Sequence, residues 1–494
     1  MGPKSRRREA QIGTIRFLLN DQVRELDAVD PNMTVLNYLR GVERKTGTKE
    51  GCAEGDCGAC TVVLGQADGN RVRYRAVNAC ILFVPVLDGK QLITVEDLAA
   101  ADGTPHPAQR AISELSGSQC GFCTPGFVMS LFALHASEPK PSRQRINDVL
   151  AGNLCRCTGY RPIIEAAQRM YGYGGGDRFA ARQKETLKRL KALRRRGTLA
   201  LEAKGRRYFA PTTLNEMARL CKAHPDACIL AGGTDVGLWV TKEHRDLDIL
   251  IYTGNVKELA KLKVAKGHID IGAAVTVTDA MDVIARHYPR FGELLRRFAS
   301  VQIRNSGTIG GNVANGSPIG DSMPALIALG SSVVLRHGPR FREVPLDDFY
   351  LGYRETDLRP GEFVERVRVP VKSAARRFGA YKISKRFDQD ISGVLGAYAL
   401  ELDGGRVRDI RICYGGMAAV PKRAVRCEKA LIGQSWSDGA VARAMQALDA
   451  DFQPLTDMRA SADYRMLVAK NLLRKFWMET TNPGVGLDVV SYGS

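Results

Sequence analysis

The segment KEGCAEGDCGACTVVL, residues 49–64, carries three cysteines spaced C-x4-C-x2-C. Cys52, Cys57 and Cys60 share one glycine-rich loop, and Cys80 in AVNACILF (residues 76–83) supplies a distant fourth thiol. Three thiolates from one loop, closed by a fourth from a later segment, form the plant-type arrangement around a [2Fe–2S] cluster. Gly51, Gly55 and Gly58 let such a loop curl inward, so that backbone N–H groups point at sulfurs carrying negative charge.

Working outward, GTIRFLLNDQVREL (residues 13–26) alternates apolar residues at Ile15, Phe17 and Leu19, breaks at Asn20-Asp21 and resumes at Val23, a hairpin signal. PNMTVLNYLR then predicts a helix capped near Thr34. With the strand CTVVL, these elements predict a small β-grasp-like domain over 11–93. From 94 to 170 the chain turns helical, through FVMSLFALHA and INDVLAGNL. This region holds a second set of thiols, Cys120 and Cys123 in SQCGFCTPGF and Cys155 and Cys157 in GNLCRCTGYRP. CxxC followed by CxC leaves an iron–sulfur cluster, zinc and redox thiols all open. Gly152 reads as a helix stop before the CxC pair. Two helix ends facing each other would gather the four sulfurs, with a positive helix end beside them.

Eight of the twelve cysteines precede residue 160. A chain with no secretory signal keeps thiols reduced, so the clustering points to metal or catalysis rather than disulfides, and to the cytoplasm. The basic start MGPKSRRREAQIG lacks an apolar run behind it and reads as a frayed tail. No stretch is long and apolar enough to span a membrane. The net charge of +19 is concentrated in 168–207, where thirteen Lys and Arg face three Asp and Glu. Without a nucleic-acid motif, this segment reads as a solvated basic linker (171–204) or a surface that meets an acidic partner, rather than a nucleic-acid surface.

Beyond 205 the chain is mixed α/β. CILAGGTDVGLWV runs from a short strand into a glycine loop that is neither GxGxxG nor a Walker loop. Gly232, Gly233 and Thr234 could bring N–H groups and a hydroxyl to a pyrophosphate. NSGTIGGNVANGSPIGDSMPA, with Gly307, Gly310, Gly311 and Asn312, repeats that chemistry, and two such loops favour a dinucleotide over a purely structural turn. The seven histidines show no HxxxH or HExxH spacing and read as structural; Cys221, Cys228, Cys413 and Cys427 read as small buried hydrophobes.

GCAEGDCGACTVVL, GSQCGFCTPGF and AGNLCRCTGYRPI together resemble the two-cluster electron-transfer module of the xanthine oxidase family of molybdenum hydroxylases. That resemblance covers 11–170, and the flavin loops resemble the same family's FAD-binding domain. It implies an α+β multidomain fold. A β-grasp plant-type [2Fe–2S] domain (11–93) is followed by a four-helix [2Fe–2S] domain (94–170). An α/β FAD-binding domain of the PCMH/vanillyl-alcohol-oxidase-like type (205–374) and a C-terminal α+β flavoprotein domain (376–490) complete it. Cys52, Cys57, Cys60 and Cys80 would hold one cluster, and Cys120, Cys123, Cys155 and Cys157 the other, with Gln119 and Cys120 approaching a pterin. Ile229, Leu230, Ala231, Gly232, Gly233, Thr234, Asp235 and Val236 would line the FAD pyrophosphate and ribityl chain. Phe298, Thr308, Ile309, Gly310, Gly311, Asn312 and Asp321 would line its adenine and isoalloxazine sides. Lys382 would also touch the flavin, and residues 386–393 would form a mobile loop that tunes access of the acceptor.

The module order resembles the small subunit of split-chain bacterial members, which implies a molybdopterin-binding partner chain, in a heterodimer or a dimer of heterodimers. The hydroxylation of hypoxanthine to xanthine and of xanthine to urate would then take place on that partner. Electrons would pass through the second cluster, the first cluster and FAD to NAD+. The alternative is the corresponding subunit of a hydroxylase for aldehydes, nicotinate or an aromatic acyl-CoA.

Overall fold

The computed structural model of the chain describes residues 13–265, 267–371, 376–484 and 487; the basic tail lies outside them. The chain forms two compact units. One runs to Lys257 and takes in Ser300–Gly307; the other comprises Glu258–Ala299 and the chain from Thr308 onward.

The first unit opens on a five-stranded sheet of order β2-β1-β5-β3-β4. Its strands are β1 (Ile15–Leu19), β2 (Gln22–Leu26), β3 (Thr61–Asp68), β4 (Arg71–Asn78) and β5 (Gln91–Ile93). The expected hairpin joins β1 to β2 with Leu19 opposite Gln22 and Asn20 at φ +54° in the turn. Returning alongside β1, β5 runs parallel to it, so the sheet is mixed. Thr34 caps Val35–Asn37 as expected, accepting the Asn37 N–H at 3.2 Å, and the chain continues in a wider π-type turn over Tyr38–Val42.

Leu18, Val63, Tyr74 and Ile93 share a core with four helices, Pro107–Glu114, Thr124–Ser137, Arg143–Leu150 and Arg161–Arg169. Thr124–Ser137 is the central one: every residue from Gly126 to Leu134 is buried, as a helix apolar on all sides requires.

The basic segment corrects the reading of 171–204 as a solvated linker. Arg178–Ala181 and Gln183–Leu193 are helices, and Phe179 and Leu190 are buried in the same core, with Leu187 and Leu193 packed against it. Apolar residues at helical spacing make a stripe that the surrounding cations hide from a composition count. Arg178 and Arg182 reach Asp21 at 2.5 and 2.8 Å, and Arg195 reaches Asp88 at 2.7 Å.

A second sheet of this unit, β6-β7-β9-β8, comprises β6 (Leu199–Ala203), β7 (Arg206–Ala210), β8 (Cys228–Leu230) and β9 (Ile249–Tyr252), with β7, β9 and β8 parallel. A helix, Val236–Thr241, follows β8.

The second unit holds a five-stranded antiparallel sheet, β10-β11-β16-β12-β13. Its strands are β10 (Leu262–Ala265), β11 (His268–Gly272), β12 (Ser332–His337), β13 (Arg340–Pro345) and, after the small hairpin β14 (Tyr350–Gly352) and β15 (Glu355–Thr356), β16 (Phe363–Pro370). Helices Val277–His287, Pro289–Arg296, Ile309–Asn315 and Ser322–Ala328 accompany it. The sheet β17 (Arg377–Ile383), β18 (Val394–Asp403), β19 (Arg406–Gly415) and β20 (Lys422–Arg423) then packs on three helices, of which Ala462–Thr481 is the longest. The region expected as one α/β domain over 205–374 therefore contributes one sheet to each unit. Among the described residues no helix is long and apolar enough to cross a membrane.

Candidate iron–sulfur and flavin sites

The loop before β3 wraps around the Cys52 sulfur. The N–H groups of Glu54, Asp56 and Cys57 donate to it at 3.4, 3.3 and 3.3 Å. Left-handed conformations at Gly55 (φ +80°), Gly58 (φ +70°) and the non-glycine Ala53 (φ +55°) produce the curl. Gly51 serves a different end, since a Cβ there would lie 2.8 Å from the Cys57 sulfur. Cys57 and Cys80 both neighbour Cys52, and Cys60 neighbours Cys80. Those contacts, with the backbone donors, pull Cys52 far towards the thiolate; the Cys52 contact, reinforced by burial, pushes Cys57 and Cys80 up.

The second set assembles at two helix starts. Cys123 occupies the residue position just before Thr124–Ser137 without a capping hydrogen bond from its side chain, while Cys155 and Cys157 lie between the end of Arg143–Leu150 and the start of Arg161–Arg169. The sulfurs pair across the motifs, Cys123 with Cys155 and Cys120 with Cys157. Burial and the Cys155 contact push the Cys123 thiol up to about 12. Burial would raise Cys155 as well, but the Thr158 hydroxyl (3.2 Å) and N–H (3.5 Å) outweigh it and bring that thiol down. The helix preceding the CxC pair ends at Leu150 with Ala151 as its C-cap, so Gly152 follows the stop as expected, although it is not left-handed. A Cβ on Gly152 would fall 1.9 Å from the Gln302 Oε1 oxygen, and this close approach is what requires glycine there.

The chemistry of the donors fits a two-iron group better than zinc. Tetrahedral zinc with bonds of about 2.3 Å holds four sulfurs about 3.8 Å apart, all mutually close. Among the described residues, the three donors that gather within 4.8 Å of one another belong to His106, His135 and Asp177; three sulfurs of neither set do so. The second set lies in two pairs and the first in a chain in which Cys52 neighbours both Cys57 and Cys80; either arrangement would suit a two-iron group, and neither is the mutually close foursome that zinc needs. Sequence reasoning missed the histidine group, yet it stays structural. His106 Nδ1 accepts the Ala108 N–H at 3.1 Å, so the ring proton sits on Nε2, whereas a metal-bound imidazole donates through its other nitrogen.

The two cysteine loops touch through backbone. Leu154 N–H, adjacent to Cys155, donates to the Cys57 carbonyl at 3.0 Å. A Cβ on Gly58 would lie 2.1 Å from the Gly152 carbonyl oxygen, and one on Gly126 would lie 2.3 Å from that of Gly58.

On its other side the first loop meets the flavin strand–loop–helix. Thr241 Oγ1 donates to the Ala53 carbonyl at 2.8 Å, and a Cβ on Gly237 would lie 2.6 Å from the carbonyl oxygen of Ile81, the residue after Cys80. In that loop Leu230 closes β8 by accepting the Thr253 N–H at 2.8 Å, and Gly233 has φ +71°. A Cβ on Gly232 would lie 2.0 Å from the Ser306 carbonyl oxygen, and one on Gly307 would lie 3.3 Å from Thr234 Oγ1. Ile229 to Val236 thus pack against the start of the second glycine loop. Asp235 accepts the Trp239 Nε1–H at 3.1 Å.

In the second unit, Thr308 caps Ile309–Asn315 by accepting the Gly311 N–H at 2.9 Å. Gly310 lies so close to Ala273 that a Cβ would come within 2.4 Å of its Cα. Ser322 Oγ donates to Asn312 Oδ1 at 2.6 Å. Asp321 and Lys382, read as separate flavin contacts, are partners: Lys382 Nζ reaches Asp321 Oδ2 at 2.7 Å, and Ser392 Oγ donates to Oδ1 at 2.5 Å. Phe298 is half-buried. Residues 386–393 are tied internally, Arg386 N–H donating to Asp390 at 2.8 Å, and Arg297 donates to the Phe387 carbonyl at 3.1 Å.

Four family descriptions match the chain in succession. They are a 2Fe-2S iron–sulfur cluster binding domain (17–85), a [2Fe-2S] binding domain (94–168), an FAD binding domain in molybdopterin dehydrogenase (201–372) and a CO dehydrogenase flavoprotein C-terminal domain (379–480). Xanthine dehydrogenase of Emericella nidulans is 34% identical over 94% of this chain, which spans 38% of that protein's length. Carbon monoxide dehydrogenase from Hydrogenophaga pseudoflava is 30% identical with a TM-score of 0.52; the match covers 54% of this chain and 94% of that one. Quinoline 2-oxidoreductase from Pseudomonas putida 86 is 26% identical with a TM-score of 0.51, over 56% of this chain and 96% of that one. Two [2Fe–2S] domains, an FAD-binding domain and a flavoprotein C-terminal domain make this the electron-transfer region of an oxidoreductase, and the chain belongs to the xanthine oxidase family of molybdenum hydroxylases.

Proposed function

We infer that the chain is the iron–sulfur/FAD subunit of a xanthine dehydrogenase. In this reading a cytoplasmic partner chain bearing molybdopterin hydroxylates hypoxanthine to xanthine and xanthine to urate, and this chain passes the electrons to NAD+. The observation that carries the reading is the contact order inside the first unit. The second cysteine set meets the first at Leu154 and Cys57, and the first meets the flavin loop at Ala53–Thr241 and Ile81–Gly237.

The two [2Fe–2S] clusters supply one-electron carriage, and FAD converts it to two-electron exchange. The protein supplies position and charge. Cys52, Cys57, Cys60 and Cys80 hold the first cluster, and the three N–H groups aimed at Cys52 favour its more negative state. Cys120, Cys123, Cys155 and Cys157 hold the second. In the first unit Ile229 to Val236 are the residues offered to FAD; in the second, Phe298 and Thr308 to Asn312 are, and the Asp321–Lys382 pair orders the segment carrying residues 386–393. The purine assignment is supported by the Emericella nidulans likeness across 94% of this chain. A partner chain is supported by the carbon monoxide dehydrogenase chain, which is matched over 94% of its own length by 54% of this one.

A second reading has its own support in the quinoline 2-oxidoreductase and carbon monoxide dehydrogenase likenesses, namely the same electron-transfer role beside a hydroxylase for another substrate. Anaerobic mixing of the purified chain with NADH separates the two for the acceptor. Bleaching of the flavin band followed by the cluster bands is expected; bleaching by dithionite but not by NADH would overturn the NAD+ assignment. Reconstitution with the molybdopterin chain, assayed on hypoxanthine, quinoline, nicotinate and aldehydes, decides the substrate.

A further inference from the structure

Gln302 lies on the one-turn helix Val301–Arg304, in the short stretch Ser300–Gly307 that belongs to the first unit while its chain neighbours belong to the second. It is 1% exposed. Its amide Nε2 donates to Ser130 Oγ and Asn153 Oδ1, both at 3.1 Å, and reaches Thr61 Oγ1 at 3.4 Å. Each of these residues is tied to a cysteine: Thr61 follows Cys60, Asn153 precedes Cys155 by two positions, and Ser130 sits on the helix that Cys123 precedes.

The knot is closed. Asn153 Nδ2 donates to the Gly58 carbonyl at 3.0 Å and to Thr61 Oγ1 at 3.2 Å, while Ser130 Oγ donates to Asn153 Oδ1 at 2.6 Å. Thr61, Ser130 and Asn153 are all buried, and besides one another and Gln302 they share the Gly58 carbonyl, which also accepts from Thr61 Oγ1 at 2.6 Å; loss of the Gln302 amide removes the donor that reaches all three. Among the described residues Gln302 Oε1, buried and pressed against Gly152, has no hydrogen-bond partner. A fully packed side chain that leaves an acceptor unpaired is held there by something other than its own hydrogen-bonding balance. What it does secure is the seam at which Leu154 N–H meets the Cys57 carbonyl.

We propose that Gln302 is a positioning residue for electron transfer between the two cysteine sites: through Thr61, Ser130 and Asn153 its amide fixes the separation and register of the two loops. This rests on the reading of both sets as [2Fe–2S] sites. Electron transfer between centres held in protein falls steeply with their separation, so a seam locked by glycine contacts and one buried amide sets the rate without any residue touching either sulfur.

The test uses the full chain carrying Gln302→Met, of similar length but without donors, compared with wild type by iron analysis, redox titration and low-temperature EPR of the reduced protein. The expected result is four irons in both, with the variant losing the magnetic splitting between its reduced clusters and shifting the midpoint potential of at least one. Wild-type splitting and potentials in the iron-replete variant would overturn the proposal. Should Gln302→Met lose iron, Gln302→Glu decides on the same two readouts, since it keeps shape and polarity while removing the donor. Fewer than four irons in the wild type would instead overturn the cluster reading beneath it.

Discussion

Leu154 donates its backbone N–H to the carbonyl of Cys57 at 3.0 Å, so two residues from different cysteine motifs share one hydrogen bond. Leu154 is bonded to Cys155, and the bond therefore links a ligand candidate of one site to a neighbour of a ligand candidate of the other. Backbone carries the link, so no side-chain substitution removes it directly; only a change in loop geometry can open it.

Gly58 is where that geometry is most exposed to change. It has φ +70°, and a Cβ would lie 2.1 Å from the Gly152 carbonyl oxygen. Gly58→Ala is expected to lower the thermal midpoint, at a cost of about 1–3 kcal/mol for the backbone alone. It should also alter the EPR signals of both clusters, since the loops must part. A melt and spectrum like those of wild type would contradict the close packing.

Gly232→Ala separates the flavin from the clusters. Its Cβ would fall 2.0 Å from the Ser306 carbonyl oxygen, within the loop assigned to the pyrophosphate. The expected outcome is protein purified with its iron but depleted of FAD, read from the flavin released by acid. Full flavin occupancy would remove Ile229 to Val236 from the site.

The Asp321–Lys382 pair is buried at both ends, with each residue 6% exposed. Lys382→Met strands the carboxylate, which still holds Ser392, and is expected to destabilise the second unit by about 3–5 kcal/mol, visible as an early thermal transition. Adding Asp321→Leu to that variant should recover most of the loss, because replacing both partners removes the uncompensated charge. An unchanged first transition in the single variant would contradict the pairing.

His106 gives a pH signature. Burial holds its pKa down to about 4, against about 6.5 in the unfolded chain; Asp177 opposes the shift, and His135 adds to it. Between these values the unfolded chain binds a proton that the folded chain refuses, so stability is complete above pH 6.5 and falls as the pH drops towards 4, by about 3 kcal/mol. His106→Asn keeps an acceptor for the Ala108 N–H and is expected to flatten this dependence in melts between pH 7 and pH 4.5. The same slope in the variant would contradict it.

The cluster loops and the four-helix region were legible because metal-ligand spacing and helical periodicity are local properties of sequence. Gly152 shows the limit: a glycine after a helix signals a stop, but here the neighbour that requires it, Gln302, is 150 residues away in sequence. The stripe of Phe179, Leu187, Leu190 and Leu193 was hidden by the arginines around it, and only burial reveals it. Lys382 and Asp321 each carry a charge whose partner sequence cannot name, and they satisfy each other. The flavin region is divided between two units because its two sheets, over 199–252 and 262–370, fall on either side of Lys257, and no periodicity records that.

Eight clustered cysteines and two glycine loops make this one electron-carrying chain if both cysteine sets take iron and the loops take FAD. Iron, acid-labile sulfide, zinc and flavin analysis of the anaerobically purified protein tests it most directly. Four irons, four sulfides and one FAD per chain are expected, with one [2Fe–2S] pair from each cysteine set. Zinc in place of iron, or two irons per chain with either cysteine set empty, would contradict it.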